Sequence, residues 1–381
     1  MYFWSMQDAH SPTVLEITNT LDAWAPFRLQ AGYDNSGLLV GRPEAVVSKA
    51  LVALDCTEAL IEEAAERGAA CVIVHHPIIF KGLKRLTGRN AVERTVQLAI
   101  RKDIAIIAIH TNLDHAADGV NHKLATTLGC DPASLQILQP LNDQLVGLTF
   151  YTPNAAADAV EDAVFAAGGG QVGRYDECAF RLEGQGSFRP LAGAQPTIGR
   201  RGERSHVAER RSEVVVPRWR LSAVLAAMRA AHPYEEVAHQ VVALESAHQD
   251  VGAGMVGLLP APMTEEKFLD LAKSSLPAPL IRHTRLLGRP VQRIAVCGGS
   301  GAFLLEDAVA AGADVFVTAD FKYHEFQGAD GRIVIADVGH FESEWRTGEI
   351  IQAHLEEHLN EKFPNFAVHL ARENHNPVHY R

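Results

Sequence analysis

Three short stretches concentrate side chains able to bind a transition metal. They are Val74-His75-His76-Pro77, His110-Thr111-Asn112-Leu113-Asp114-His115 and Gly339-His340-Phe341-Glu342-Ser343-Glu344. Imidazole mixed with carboxylate favours zinc, iron, manganese or nickel over calcium. His340 and Glu344 stand four apart and would share one face of a helix starting there. The neighbours His75 and His76 point different ways in an extended segment, so one imidazole could serve each of two ions. Asp114 or Glu344 could bridge them. Two ions roughly 3.5–4 Å apart would acidify water and polarise a substrate oxygen. Each stretch alone also has a plainer reading: His75-His76-Pro77 as turn chemistry, Asp114 as a helix N-cap. Three together, each ending a strand, favour the metal.

Other groups rank behind these. His324, in Lys322-Tyr323-His324-Glu325, could line the site as acid, base or hydrogen-bond donor. His110 could support the ligands from behind. His115 and His122 read as surface or helix-packing groups, and His354, His358, His369, His375 and His379 as solvated ones. Gly298-Gly299-Ser300-Gly301 could offer backbone N–H groups to phosphate or be a turn needing positive φ; it lacks the lysine of a P-loop. Cys297, just before it, reads as a nucleophile or a buried strand thiol.

The elements that must carry these residues alternate in type. Residues 48–55 read as a buried strand. Residues 57–68 read as a helix capped by Thr57 and stopped by Gly68. A strand at 71–74, a helix at 90–102 and a strand at 104–109 follow. Doubly apolar strands in βαβαβ order predict a mainly parallel sheet covered on both faces. Ligands of such sheets gather at strand C-termini. The last third repeats the style, with strands at 293–297, 314–318 and 332–337 and helices at 302–312 and 343–360. The middle differs. Strand 145–151, helix 155–167, strands 178–188 and 212–217, helix 219–231 and strand 238–244 follow the ferredoxin-like βαββαβ plan. Residues 190–204 read as a flexible loop. The fold class is therefore α/β: a discontinuous metal-binding domain, residues 1–137 and 249–381, with an inserted α+β domain at 138–248.

Composition agrees. A chain of 381 residues exceeds one ordinary core. A net charge of −11 argues against a nucleic-acid partner, although Lys81, Lys84 and Arg85 leave a local place for phosphate. Cys56, Cys71, Cys130, Cys178 and Cys297 form no Cys-x-x-Cys pair, so neither a thiolate zinc site nor a redox motif is indicated, and the odd count suits a reducing, cytoplasmic compartment. The apolar start Met1-Tyr2-Phe3-Trp4-Ser5 is too short for a signal peptide, and Met6 is an alternative start. No apolar run of about 18 residues predicts a membrane span.

The ordered motifs resemble a known family, the group named for the NGG-interacting factor three of yeast, many members of which are labelled type-two GTP cyclohydrolase I. Asp34-Asn35-Ser36-Gly37-Leu38-Leu39-Val40-Gly41, Asp55-Cys56-Thr57, the His75-His76 and His110–Asp114 segments, Cys297–Gly301, Thr318–His324 and His340–Glu344 carry the likeness. Ala319 stands where the family often has glycine. The resemblance implies five ligands, His75, His76, Asp114, His340 and Glu344, for two divalent metal ions per chain. It implies a homohexamer with the sites facing an internal cavity. Gly173–Cys178, Gly186-Ser187-Phe188 and Ala231-His232-Pro233-Tyr234-Glu235-Glu236 make the insert similar to a PII-like domain, though His232–Glu236 could also be a structural turn. The expected function is a metal-dependent hydrolase of a small molecule, with His324 or Glu344 moving protons. In the GTP cyclohydrolase version it opens the purine imidazole ring of a nucleotide and releases formate. The competing expectation is a non-catalytic metal-binding or regulatory module, whose PII-like insert senses a ligand or docks a partner.

Overall fold

The computed structural model describes residues 11–381; the apolar start and Met6 lie outside them. Contacts divide the chain into two units. One runs up to Gln139 and resumes over Val251–Arg381, and the other is Pro140–Asp250.

The first unit contains two sheets, which corrects the expectation of one mainly parallel sheet. Five strands pair in the order Gly37–Val40, Ala105–Ala108, Cys71–Val74, Lys49–Ala53, Ala367–Leu370. All neighbours are parallel except the first pair. Six strands form the other sheet: Arg282–His283, Val334–Asp337, Val315–Ala319, Val291–Ser300, Gly252–Met263 and Gln136–Pro140. Here the three strands Val334–Asp337, Val315–Ala319 and Val291–Ser300 run parallel, while Arg282–His283 and Gly252–Met263 pair antiparallel with Val334–Asp337 and Val291–Ser300. Eleven strands exceed what one open twisted sheet usually carries, about ten, and each βα run builds its own layer.

The central strands of both sheets are buried on both faces. Ala50, Val52, Ile73 and Ile107 pack with the helices Val14–Trp24 and Thr347–Leu359. The alternate residues Leu51, Val72 and Ile106 pack with the helix Glu58–Glu66. The second sheet divides likewise: Ile294, Val296 and Val317 lie against Phe268, while Ala295, Phe316 and Ile335 lie against Leu304 and Ala308. This explains strands apolar at every position.

Local signals act as expected at several ends. The Thr57 side chain accepts from Leu60 N–H, and Gly68 takes φ +68° just past the helix. Two expectations are corrected. The strand Val291–Ser300 runs through Gly298 and Gly299, so these are not a turn. The helix expected at 343–360 is two pieces, His340–Glu344 and Thr347–Leu359.

In the second unit, strands Leu145–Pro153, Phe180–Phe188, Ser205–Pro217 and His239–Ala243 and helices Ala157–Ala166 and Leu221–Ala231 follow in βαββαβ order. The sheet order is Phe180–Phe188, Ser205–Pro217, Leu145–Pro153, His239–Ala243, every pair antiparallel. Val146, Leu148, Phe150, Val214 and Val216 face Val160, Val164, Val224 and Met228 of the helices. Among the described residues no helix is long and apolar enough to cross a membrane.

Candidate metal centre

Four imidazoles converge in the first unit, each anchored through Nδ1. His75 follows the strand Cys71–Val74 and is fully buried. Its Nδ1–H donates to the Ile109 carbonyl at 2.8 Å. His76 Nδ1 donates to Asp55 Oδ1 at 2.8 Å, His110 Nδ1 to Asp34 Oδ1 at 2.8 Å, and His340 Nδ1 to Asp320 Oδ2 at 2.7 Å. Fixing Nδ1 as the donor leaves Nε2 as the lone-pair nitrogen, the usual support of a metal-binding histidine. His76 and His340 bring their Nε2 atoms within 3.3 Å of each other. The His110 ring stands edge-on to those of His75 and His76, with centroids 5.2 and 5.4 Å away.

Glu344 lies between two groups. Its Oε2 is 3.1 Å from both His76 Nε2 and His340 Nε2. Its Oε1 is 3.8 Å from His75 Nε2, which is 3.6 Å from Asp114 Oδ1. Three sets of side chains could thus hold a metal: His76, His340 and Glu344; His75, Asp114 and Glu344; and His75, His76 and His110. Tetrahedral ligands at about 2.1 Å from an ion stand about 3.4 Å apart, and the spacings of 3.1 to 3.8 Å bracket that value. His75 Nε2 and Asp114 Oδ1 are buried and have no hydrogen-bond partner among the described residues. Buried polar atoms are rarely left so, and a cation between them answers both. The residues fit a metal.

Electrostatics shows how tightly the groups are coupled. Burial opposes charge on His76, yet hydrogen bonds to Asp55 and Glu344 outweigh it and raise its pKa to about 9. The same contest at His340, with Asp320 and Glu344 as partners, ends at about 11. Burial pushes His75 down, towards the neutral ring. Burial and then the Glu344 charge push Asp114 well up. Glu344 itself is held well below the usual carboxylate range: burial is outweighed by hydrogen bonds from His340, His75 and His76. The carboxylates around His76 and His340 thus favour positive charge there, as a bound cation would supply.

The glycines after Cys297 serve this site, not a phosphate. Gly298 N–H donates to Asn121 Oδ1 and Gly299 N–H to Ser343 Oγ, both at 2.9 Å, so neither is free. A Cβ on Gly299 would overlap Glu344 Oε1 and lie 3.1 Å from His340 Nε2. Cys297 is buried with its thiol pushed far up by burial, then by Asp114 and Glu344, which removes it as a nucleophile.

Of the residues expected at the site, His75, His76, Asp114, His340 and Glu344 come together. His324 does not. It is exposed before the short turn Glu325–Ala329, its ring against Tyr323. Asp114 ends the helical turn Thr111–Asp114 instead of capping a helix. His354 is not solvated as expected: it is half-buried between Trp24 and His358, with ring centroids at 4.3 and 4.1 Å. Lys81, Lys84 and Arg85 are exposed.

Sequence reasoning placed Asp34, Asp55 and Asp320 in motifs but missed their role as carboxylates behind the imidazoles. Asp34 is the most committed. Burial alone would raise its pKa, but hydrogen bonds from His110 and Thr111 hold it well below the usual range. Asp55 and Asp320 follow the strands Lys49–Ala53 and Val315–Ala319, so an aspartate just past a parallel strand was the available signal. The C-terminal segment was also missed. Asn376, Val378 and Tyr380 help wall a cleft of about 410 Å³ that opens onto His76 and His340. Glu63 pins that segment by accepting the N–H groups of Arg372 and Glu373 at 2.9–3.0 Å.

Comparison with known proteins finds relatives across most of the chain. The model of the family described as Duf34/NIF3 (NGG1p interacting factor 3) matches residues 12–377. A Halalkalibacterium halodurans protein named "GTP cyclohydrolase 1 type 2 homolog" is 36% identical over 338 residues, 88% of this chain and 89% of the relative. A Bacillus subtilis protein of the same name is 36% identical over 328 residues, 86% of this chain and 87% of the relative. The crystal structure of a Bacillus cereus protein related to NIF3 superposes with a TM-score of 0.83 at 33% identity, covering 97% of this chain and 99% of that one.

Proposed function

We propose, for a chain that belongs to the Duf34/NIF3 family, that the cluster binds two divalent transition-metal ions and performs metal-dependent hydrolysis. The observation that carries the reading is Glu344, whose two oxygens face separate imidazole groups while His75 Nε2 and Asp114 Oδ1 lie buried without partners. His75, Asp114 and Glu344 would hold one ion, and His76, His340 and Glu344 the other. When bound, such a pair supplies Lewis acidity and an acidified water. Asp55 and Asp320 keep the His76 and His340 rings aimed inward. With Glu344 engaged at both oxygens and His324 exposed, the proton falls to His110. Asp34 orients that ring, and its Nε2 is the atom suited to accept the proton.

The relatives' name supports GTP as the first substrate to try, with the purine imidazole ring opened and formate released. Tyr33 and Phe80, exposed rings 6.1 Å apart with Phe80 6.3 Å from His110, suit a flat heterocycle. Incubation of metal-loaded protein with GTP should release formate, and chelation should stop it. No formate with any of zinc, iron, manganese or nickel contradicts the GTP version. The proposal includes a cytoplasmic homohexamer, with the second unit as its PII-like insert; light scattering should then give six times the chain mass.

A further inference from the structure

The second unit contains a cavity of about 580 Å³ that the reaction above does not use. One wall is the loop 190–204, which the sequence suggested was flexible. The structure ties it to the turn after His232: Gln195 N–H donates to Glu235 Oε1 at 2.9 Å, and Thr197 Oγ to the Pro233 carbonyl at 2.6 Å. His232 fixes that turn. Its Nε2 donates to the Tyr151 carbonyl and its Nδ1 accepts from Tyr234 N–H, both at 3.0 Å. His232 is therefore a structural group, and what it positions is Tyr234.

Tyr234 aims its hydroxyl into the cavity at Glu209 Oε1, 2.9 Å away. Glu209 is only 9% exposed. Its Oε1 accepts from Tyr234, and its Oε2, without a hydrogen-bond partner among the described residues, is not sealed from solvent and so stands open to a ligand. The sequence makes room for it: Gly186 lies beneath, and a Cβ there would overlap Oε2. A carboxylate oxygen held open at the wall of a cavity is a strong acceptor for a charged N–H donor. Tyr151, Phe188 and Ile198 give the cavity apolar walls. The lining holds three acidic residues, Glu209, Glu235 and Glu236, and one basic residue, Arg189.

We propose that this cavity binds a small organic cation, an ammonium or amidinium on a flat apolar body, through Glu209. Its N–H groups would complete the Oε2 valence while its body lies against Tyr151 and Phe188. The proposal stands apart from the metal centre and does not depend on hydrolysis.

The test is calorimetric titration of the full chain with benzamidine, with its neutral isostere benzamide, and with benzoate. The expected result is benzamidine at least tenfold tighter than benzamide, no binding of benzoate, and loss of the difference in Glu209→Gln, whose amide oxygen still accepts from Tyr234. Benzamidine binding no tighter than benzamide overturns the proposal, as does Glu209→Gln binding it unchanged. Should Glu209→Gln fail to fold, Ile198→Trp replaces it: filling the cavity must abolish benzamidine binding, and retained binding overturns the proposal.

Discussion

Replacing Gly299 with alanine separates the metal site from the fold. Gly299 has φ +60°, where an L side chain costs about 1–2 kcal/mol. Gly312 has φ +69°, and its added Cβ meets nothing within 4 Å. Gly312→Ala therefore incurs the same backbone cost and nothing else. For a unit of this size either variant should melt about 2–8 °C lower. At Gly299 a second effect adds to it. The new Cβ overlaps Glu344 Oε1, which must retreat by about 1 Å to reach an ordinary contact near 3.5 Å. Ligand distances must hold within about 0.2 Å, so steric displacement at the site outweighs the backbone term. Metal affinity should fall at least tenfold in Gly299→Ala and not at all in Gly312→Ala. The assay is metal content by plasma mass spectrometry after dialysis, beside thermal melts of both variants. Full metal retention in Gly299→Ala, or equal loss in the two, refutes the reasoning.

Other outcomes follow from the same geometry. His110→Gln should keep its metal but lose about 10²–10⁴-fold in turnover, while His324→Ala should change turnover little; the reverse ranking in a steady-state assay restores His324 to the mechanism. In metal-free protein the raised pKa values of His76, about 9, and His340, about 11, mean that their pairing supports the fold fully below about pH 6.5 and is lost as pH rises through those values. The melting temperature of chelated protein should therefore fall between pH 7 and 10, and that of metal-loaded protein should not; a rise in the chelated protein contradicts the assignment. Glu63→Gln weakens hydrogen bonds to a charged acceptor worth about 1.5–3 kcal/mol together, so hydrogen exchange at residues 371–381 should quicken; unchanged protection there means that Glu63 does not pin the segment.

The ligand-bearing strand ends were legible because each is a short apolar run closed by histidine or aspartate, and β-branched runs such as Cys71–Val74 have little else to become. The inward faces of His340 and Glu344 followed from helical spacing alone. What bridges the two groups did not, since Asp114 and Glu344 offer the same chemistry and only the position of Oε1 and Oε2 distinguishes them. Gly298 and Gly299 misled for a physical reason: glycine before a helix signals a turn, but here its missing Cβ makes space for a carboxylate 45 residues away in the chain. Asp34, Asp55 and Asp320 act across separate strands, a relation that periodicity cannot carry. The helix Val14–Trp24 was legible in principle, since Thr13 and Glu16 form a capping box.

The central claim, two metal positions sharing Glu344, is tested most directly by anomalous scattering from crystals of metal-reconstituted protein, collected on both sides of the metal edge. The account predicts two peaks roughly 3.5–4 Å apart, one among His75, Asp114 and Glu344, the other among His76, His340 and Glu344. A single peak, or peaks away from Glu344, would contradict it.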